Sequence, residues 1–331
     1  MQTQSLLIAI SMMDFLSLGE KLTLLKSLRS IAENGRKSAL EELSSCSYDQ
    51  IARLAMRSPD RRLLKKKFDA RLLAREAQAS SKAASALGIK TVFYGSKGYP
   101  PLLREISDPP FSLFYRGSLA PLFGKCVSVV GTRRLCAQGK SAAHAFALEA
   151  ASGGYCVVSG LAWGADGFAH RGAVDAFFDG RSALCNTVAV LAGGVDNIFP
   201  CAHKKLAASI IQNGGAIVSE CPPRVPAEKW RFVQRNRIIA ALSPSTVVIQ
   251  APPGSGSMIT ANFALDYNRE LFFHGACFCR EAMEFSRVVE KRLMAQGGRS
   301  ACRKLGERPE SYVESGAKVV SCFDEFLSFM C

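Results

Sequence analysis

From residue 126 onward, compact apolar blocks recur along the chain: CVSVVGT, YCVVSG, NTVAVLAG, GAIVSE, STVVIQA and ELFFHGA. Each is a near-continuous run of Val, Ile, Ala or Phe rather than a polar/apolar alternation, which is the pattern of strands covered on both faces. A helix-length stretch separates each block from the next, so the pattern predicts βαβ units around a doubly wound, mostly parallel sheet. Two earlier β-rich pieces, IKTVFYG and FSLFYRGS, flank the proline-punctuated YPPLLREISDPP and enlarge that sheet beyond a minimal Rossmann unit. The expected fold class is α/β, an extended Rossmann-like sheet.

Residues 1 to 88 have a different period. Leu24, Leu25 and Leu28 share a helical face, and DQIARLAMR carries a second helical pattern. SPDRRLLKKKFDARLLAREAQASSKAASAL predicts a third helix, begun by Ser58 with Pro59 at its first position and Asp60 in its first turn. The apolar SLLIAISMMDFLSL has Asp14 in its middle and no basic residue before it, so it reads as a helix face and not as a signal peptide. No run approaches the roughly 18 apolar residues of a membrane span, and a cytoplasmic protein with no membrane partner is expected. Beyond residue 280 the texture is irregular. REAMEFSRVVEKRLMAQGGRS predicts an exposed amphipathic helix and ESGAKVVSCFDEFLSFM a short strand plus a terminal helix. The chain thus divides into an all-α domain over 1–88, a Rossmann-like domain over 89–280 and a C-terminal extension over 281–331.

In doubly wound sheets, ligands sit outside the carboxyl ends of the strands. Those ends read Gly131-Thr132-Arg133, Ser159-Gly160-Leu161-Ala162, Gly193-Gly194-Val195-Asp196, Ser219-Glu220 and Pro253-Gly254-Ser255-Gly256-Ser257. Glycine and serine at helix N-termini let backbone amides and hydroxyls approach an anion. The stretch VSVVGTRRLCAQGKS also ends in Gly-Lys-Ser, as a nucleotide-binding P-loop does, but G-x-x-x-x-G-K-[ST] demands a glycine where Arg134 stands. A phosphate-facing turn with an arginine remains, with no nucleotide or other cofactor specified.

Charge narrows the class of partner. The 331 residues contain 42 Lys and Arg against 28 Asp and Glu, a net charge of +14 that favours a polyanion. Arg61, Arg62, Lys65, Lys66, Lys67, Arg71 and Arg75 concentrate on the third helix, either as a solvated face or as an added surface for a nucleic-acid backbone. The 12 cysteines form no C-x-x-C pair and have no partner histidines at ligand spacing, and Cys277-x-Cys279 alone is a poor zinc site, so reduced thiols and no metal are expected.

Two constellations compete for chemistry. EKWRFVQRNR puts Lys229, Phe232, Arg235, Asn236 and Arg237 close together, with Phe232, Arg235 and Asn236 at i, i+3 and i+4 on one helix face. Cations track the phosphates of a single strand, and an aromatic face stacks an unpaired base for about 1–3 kcal/mol. The plainer alternative puts Phe232 in the core and Arg235 in a salt bridge. Asp166 and His170, also i, i+4, could form a carboxylate–imidazole acid–base pair, but no activated nucleophile accompanies them; the alternative is a first-turn carboxylate bonded to a histidine one turn on.

The ordered motifs DPPFSLFYRGSL, VSVVGTR, VVSGLAWGADGFAH, VAVLAGGVDNIFP, AIVSECPP, KWRFVQRNRIIAALSPSTVVIQA and GSGSMITANFA resemble the DprA/Smf family of DNA-processing proteins over residues 89 to 276. That resemblance implies a homodimeric protein that binds single-stranded DNA and loads the RecA recombinase during natural transformation and recombination. It further implies a sterile-alpha-motif-like helical N-terminus and no catalytic activity. It places Arg133, Lys229 and Phe232 on DNA-contacting positions, with Ser159, Gly160, Gly254, Ser255 and Gly256 in the phosphate-facing turns. Arg235 and Asn236 either join these contacts or order the pocket by bonding neighbouring loops. Trp163 stands where relatives carry a basic or small residue, Gln250 replaces a glutamate, and LFFHGACF replaces an ending in Pro-Gly. The tail is short for the winged-helix domain that some members add. A rival reading is a nucleotide-processing, phosphoribohydrolase-like enzyme, since PPGSGSMITA approaches P-G-G-x-G-T-x-x-E; Ala261 and Asn262 stand where its acid would be.

Overall fold

The computed structural model describes residues 2–57 and 68–330. Its first helices are α1 (Gln2–Ser11), α2 (Leu18–Asn34), α3 (Ala39–Ser45), α4 (Tyr48–Leu54) and α5 (Ala70–Ala86). Three of them start on a serine whose hydroxyl takes the N–H three residues on, while a Glu or Gln there returns a bond to the serine N–H: Ser17/Glu20, Ser38/Glu41 and Ser47/Gln50. The third helix of the sequence reading is α5. It starts at Ala70, capped by the carboxylate of Asp69, which accepts from Arg71 and Leu72 N–H; Phe68 and Asp69 are not helical, so the one continuous helix expected from Ser58 does not hold at these residues. The expected start at Ser58-Pro59-Asp60, and with it Arg61, Arg62, Lys65, Lys66 and Lys67, lies outside the described residues.

Nine described strands form one sheet: β1 (Lys90–Phe93), β2 (Ser112–Gly117), β3 (Cys126–Val130), β4 (Cys156–Ser159), β5 (Thr187–Val190), β6 (Ala216–Ser219), β7 (Ser245–Val248), β8 (Glu270–His274) and β9 (Lys318–Val320). Their order is β1-β2-β6-β5-β4-β3-β7-β8-β9. The pairs from β6 through to β9 are parallel, while β1 with β2 and β2 with β6 are antiparallel. The intervening helices are α6 (Pro101–Arg104), α7 (Ala137–Ser152), α8 (Ala165–Phe178), α9 (Lys204–Gln212), α10 (Lys229–Ala241), α11 (Gly256–Asp266), α12 (Arg280–Gln296), α13 (Gly298–Gly306), α14 (Pro309–Glu314) and α15 (Phe323–Met330).

The apolar strand blocks follow from two covered faces. In β3, Val127 and Val129 pack with Phe146 and Ala147 of α7, while Cys126 and Val130 face Ile238 of α10 and Met258 of α11. Neither face of the strand meets water, which removes the alternation a half-exposed sheet would show. The N-terminal helices share this architecture: Ile8, Leu24, Leu28 and Ala77 belong to one apolar cluster with Phe114, Ala189 and Ile217 of the sheet.

The segment 281–331, expected as an irregular extension, contributes β9 to the sheet. β9 pairs with β8, Phe272 opposite Lys318, and Phe323 and Phe326 of α15 enter the cluster around Phe146, Tyr155 and Phe272. Among the described residues, no helix is long and apolar enough to cross a membrane.

Candidate nucleic-acid interface

Strand order reverses at β3, which has β4 on one side and β7 on the other. A crevice is therefore expected beyond the ends of β3 and β7, and a cleft of about 700 Å³ opens there. Its walls are the turn after β3, the loop leading into α11, the first turns of α10 and the loop carrying Phe199. Gly131 starts the first wall because a Cβ there would meet Ala165 and the Gln250 backbone; the next residue, Thr132, donates its N–H to Gln250 O at 2.7 Å.

Phe232 stands at the centre of the arrangement. The Arg133 guanidinium lies 5.4 Å from its ring centroid and the Phe199 ring 5.9 Å from it. Phe199 is 51% exposed, and Lys229 and Arg133 are also exposed, so cations and aromatic faces line an open cleft together.

Arg235 has the opposite situation. At 4% exposure it forms part of the cleft floor, donating Nη1–H to Val190 O at 3.0 Å. Burial pulls its pKa down to about 10 against the opposing pull of Asp166. Burial likewise raises Asp166, while Arg235 and the N–H groups of Ala162 and Gly160 pull it back. Asn236 donates to Gly256 O at 3.1 Å and ties α10 to the α11 loop. Arg235 thus bonds the end of β5, and Asn236 the first turn of α11. Arg237 points elsewhere, to Glu220 and to Asp108.

Seven of the ten expected residues line the cleft: Arg133, Lys229, Phe232, Arg235, Asn236, Ser255 and Gly256. Ser159 is fully buried and donates to Val129 O at 2.6 Å, Gly160 lies behind Arg235, and Gly254 faces Lys304 of α13. Phe199 joins the site although the sequence does not mark it; a lone Phe in a loop has no periodicity, and its only signal is its place in VAVLAGGVDNIFP.

The remaining candidate chemistry disperses. The Asp166–His170 spacing does not yield the bond it permits: His170 Nδ1 pairs with Thr187 Oγ1 at 2.8 Å, and burial followed by the charges of His203 and Arg235 depresses its pKa to about 3. Counted from Gly254, the rival motif's register puts its acid at Thr260, whose hydroxyl donates to Gly256 O, and the nearby Asn262 bonds Tyr312 and Glu307. Gly139 of the Gly-Lys-Ser stretch is in the first turn of α7 and abuts the Gln250 side chain, and Lys140 is exposed. Cys279 lies 3.6 Å from Cys136, sulfur to sulfur, and among the described residues no group of three ligand side chains could hold a metal.

The sequence model of the family described as DNA recombination-mediator protein A matches residues 90–330. The chain is 40% identical over 186 residues to the DNA processing protein DprA of Bacillus subtilis, covering 56% of this chain and 60% of that one. It is 41% identical over 177 residues to Protein Smf of Escherichia coli, covering 54% and 46%. It therefore spans about half the length of these curated relatives. Among solved structures, DNA processing protein A of Helicobacter pylori, described with a single-stranded DNA binding mode, aligns with a TM-score of 0.52 and 29% identity over 62% of this chain and 88% of that one. DprA of Streptococcus pneumoniae has the same fold, with a TM-score of 0.64 at 24% identity over 99% and 95%.

Proposed function

The chain belongs to the DNA recombination-mediator protein A family, and on that premise we propose that it binds single-stranded DNA in the cleft beyond β3 and β7. The observation that carries this reading is the Phe232 ring with the Arg133 guanidinium and the Phe199 ring both beside it in an open cationic cleft. An unpaired base stacks on such rings whatever its identity, while Arg133 and Lys229 neutralise the flanking phosphates. Arg235 and Asn236 hold the floor and the α11 loop in place beneath the strand.

The proposal includes three further properties that rest on the family resemblance: hand-over of the strand to the RecA recombinase, homodimerisation and cytoplasmic residence. It also holds that the protein works by binding rather than by catalysis. His170, the one candidate base of the Asp166 pair, is buried and committed to Thr187.

Fluorescence anisotropy with labelled oligo(dT) across a salt series tests the reading. Binding should weaken linearly on a log–log plot as salt rises, and should collapse when Arg133→Ala and Lys229→Glu are combined. Absence of binding at low salt, or release of ribose phosphate from a nucleotide, would overturn it.

A further inference from the structure

Arg133 closes one side of the Phe232 cleft and opens a second groove. Beyond the Gly131–Arg134 turn lies a space of about 530 Å³ at the start of α8, lined by Arg133, Arg134, Lys140, Trp163 and Arg171 among others. Trp163 is 49% exposed, with its indole against the buried His203 ring at a centroid distance of 4.9 Å. All four cations are exposed and no carboxylate lines the groove. None of the four forms an ion pair among the described residues.

The two grooves are locked together. Gly164, at φ +80°, has the Thr132 carbonyl and the Arg133 backbone where a Cβ would stand, and Ala165 N–H donates to Thr132 O at 3.2 Å. The loop carrying Trp163 therefore packs directly on the turn carrying Arg133.

We infer that Trp163 is a second base-stacking station, and that a single strand seated in the Phe232 cleft continues past Arg133 into this groove. Arg134, Lys140 and Arg171 track its phosphates there. The inference rests on the single-stranded DNA reading of the first cleft. Charge complementarity selects the occupant: the indole supplies an apolar face that accepts any base, and the unpaired cations around it call for a polyanionic chain. A purely apolar partner would desolvate four charges without compensating them.

The chain contains two tryptophans, so Trp230→Phe leaves Trp163 as the sole indole; Trp230 lines neither groove. Oligo(dT) of about 20 nucleotides should quench its emission in step with the anisotropy change. Trp163→Ala should weaken binding about tenfold or more, and Trp163→Phe should retain part of it. Combining Lys140→Gln with Arg171→Gln should make the log–log salt slope shallower by about 1.4, or about 0.7 per phosphate contact. Wild-type binding with unquenched Trp163 and an unweakened Trp163→Ala variant overturns the second station and leaves the first cleft standing. No binding by wild type overturns both. Quenching and weakening must occur together; either alone also overturns the inference.

Discussion

Gly160 lies directly against the guanidinium of Arg235, so a Cβ added there would fall within that group. The glycine allows a cation to lie beneath the cleft, between the ends of β4 and β5, where Val190 O and the charge of Asp166 hold it. Gly160→Ala pushes the buried guanidinium away from Val190 O and should cost about 1–3 kcal/mol in urea unfolding. Arg235→Met leaves the Asp166 carboxylate buried without its opposing charge and should cost about 3–5 kcal/mol. With both changes the steric conflict is gone, so the double variant should lose less than the sum. Strict additivity would show that the two residues are not coupled.

His170 gives stability a pH dependence of known sign. Its folded pKa of about 3 lies below the unfolded value of about 6.5, so the unfolded chain takes up the proton first. The contribution is whole above about pH 6.5 and declines as pH falls toward 3, by about 1.4 kcal/mol per unit. Asp166 works in the other direction: burial raises its pKa, so its share favours the fold at low pH and is lost as pH rises. A comparison of wild type with His170→Asn at about pH 7.5 and about pH 5.5 isolates the histidine. The wild type should lose about 1.4 kcal/mol more than the variant between these points; equal losses would refute the assignment.

The central sheet was legible because burial on both faces leaves near-uniform apolar blocks, and β3 through β8 each coincide with one of them. The cation–aromatic face of α10 was legible for a related reason, since helical spacing puts Phe232, Arg235 and Asn236 together. Spacing cannot say which of them meets solvent. Arg235 turned inward because Gly160, 75 residues earlier by number, left room for it. Phe199 reached Phe232 only through strand order. In the sequence β9 and α15 look like elements of an extension, because their pairing with β8 and packing on α7 are long-range facts. Phe326 measures that packing: fully buried against Phe146, Phe272 and Phe323, it should cost about 3–5 kcal/mol when changed to Ala. A loss below about 1 kcal/mol in thermal or urea unfolding would mark α15 as peripheral to the core.

Gln250 uses both ends of its amide. Oε1 accepts from Cys136 N–H at 3.2 Å and Nε2 donates to Ala276 O at 2.8 Å, with the residue 2% exposed. Gln250→Glu, the residue the resemblance puts here, sets an acceptor against the Ala276 carbonyl. It should cost about 1–3 kcal/mol near neutral pH. Because burial raises a carboxyl's folded pKa, the gap to wild type should narrow as pH falls toward about 4.3, where the protonated acid can donate again. A gap that is independent of pH would show that the loop after β8 rearranges to accept the charge.

Phe199 and Lys229 border the same cleft but should fail in different ways. Phe199→Ala removes a neutral ring beside Phe232, so affinity for oligo(dT) should drop by about 1–3 kcal/mol while the salt dependence stays as in wild type. Lys229→Gln removes one phosphate contact, which should make the log–log salt slope shallower by about 0.7 and weaken binding most at low salt. Matched anisotropy titrations of the two variants over one salt series separate stacking from charge neutralisation. If Phe199→Ala changes the slope as Lys229→Gln does, the ring acts by positioning Arg133 over Phe232 and not by stacking on a base.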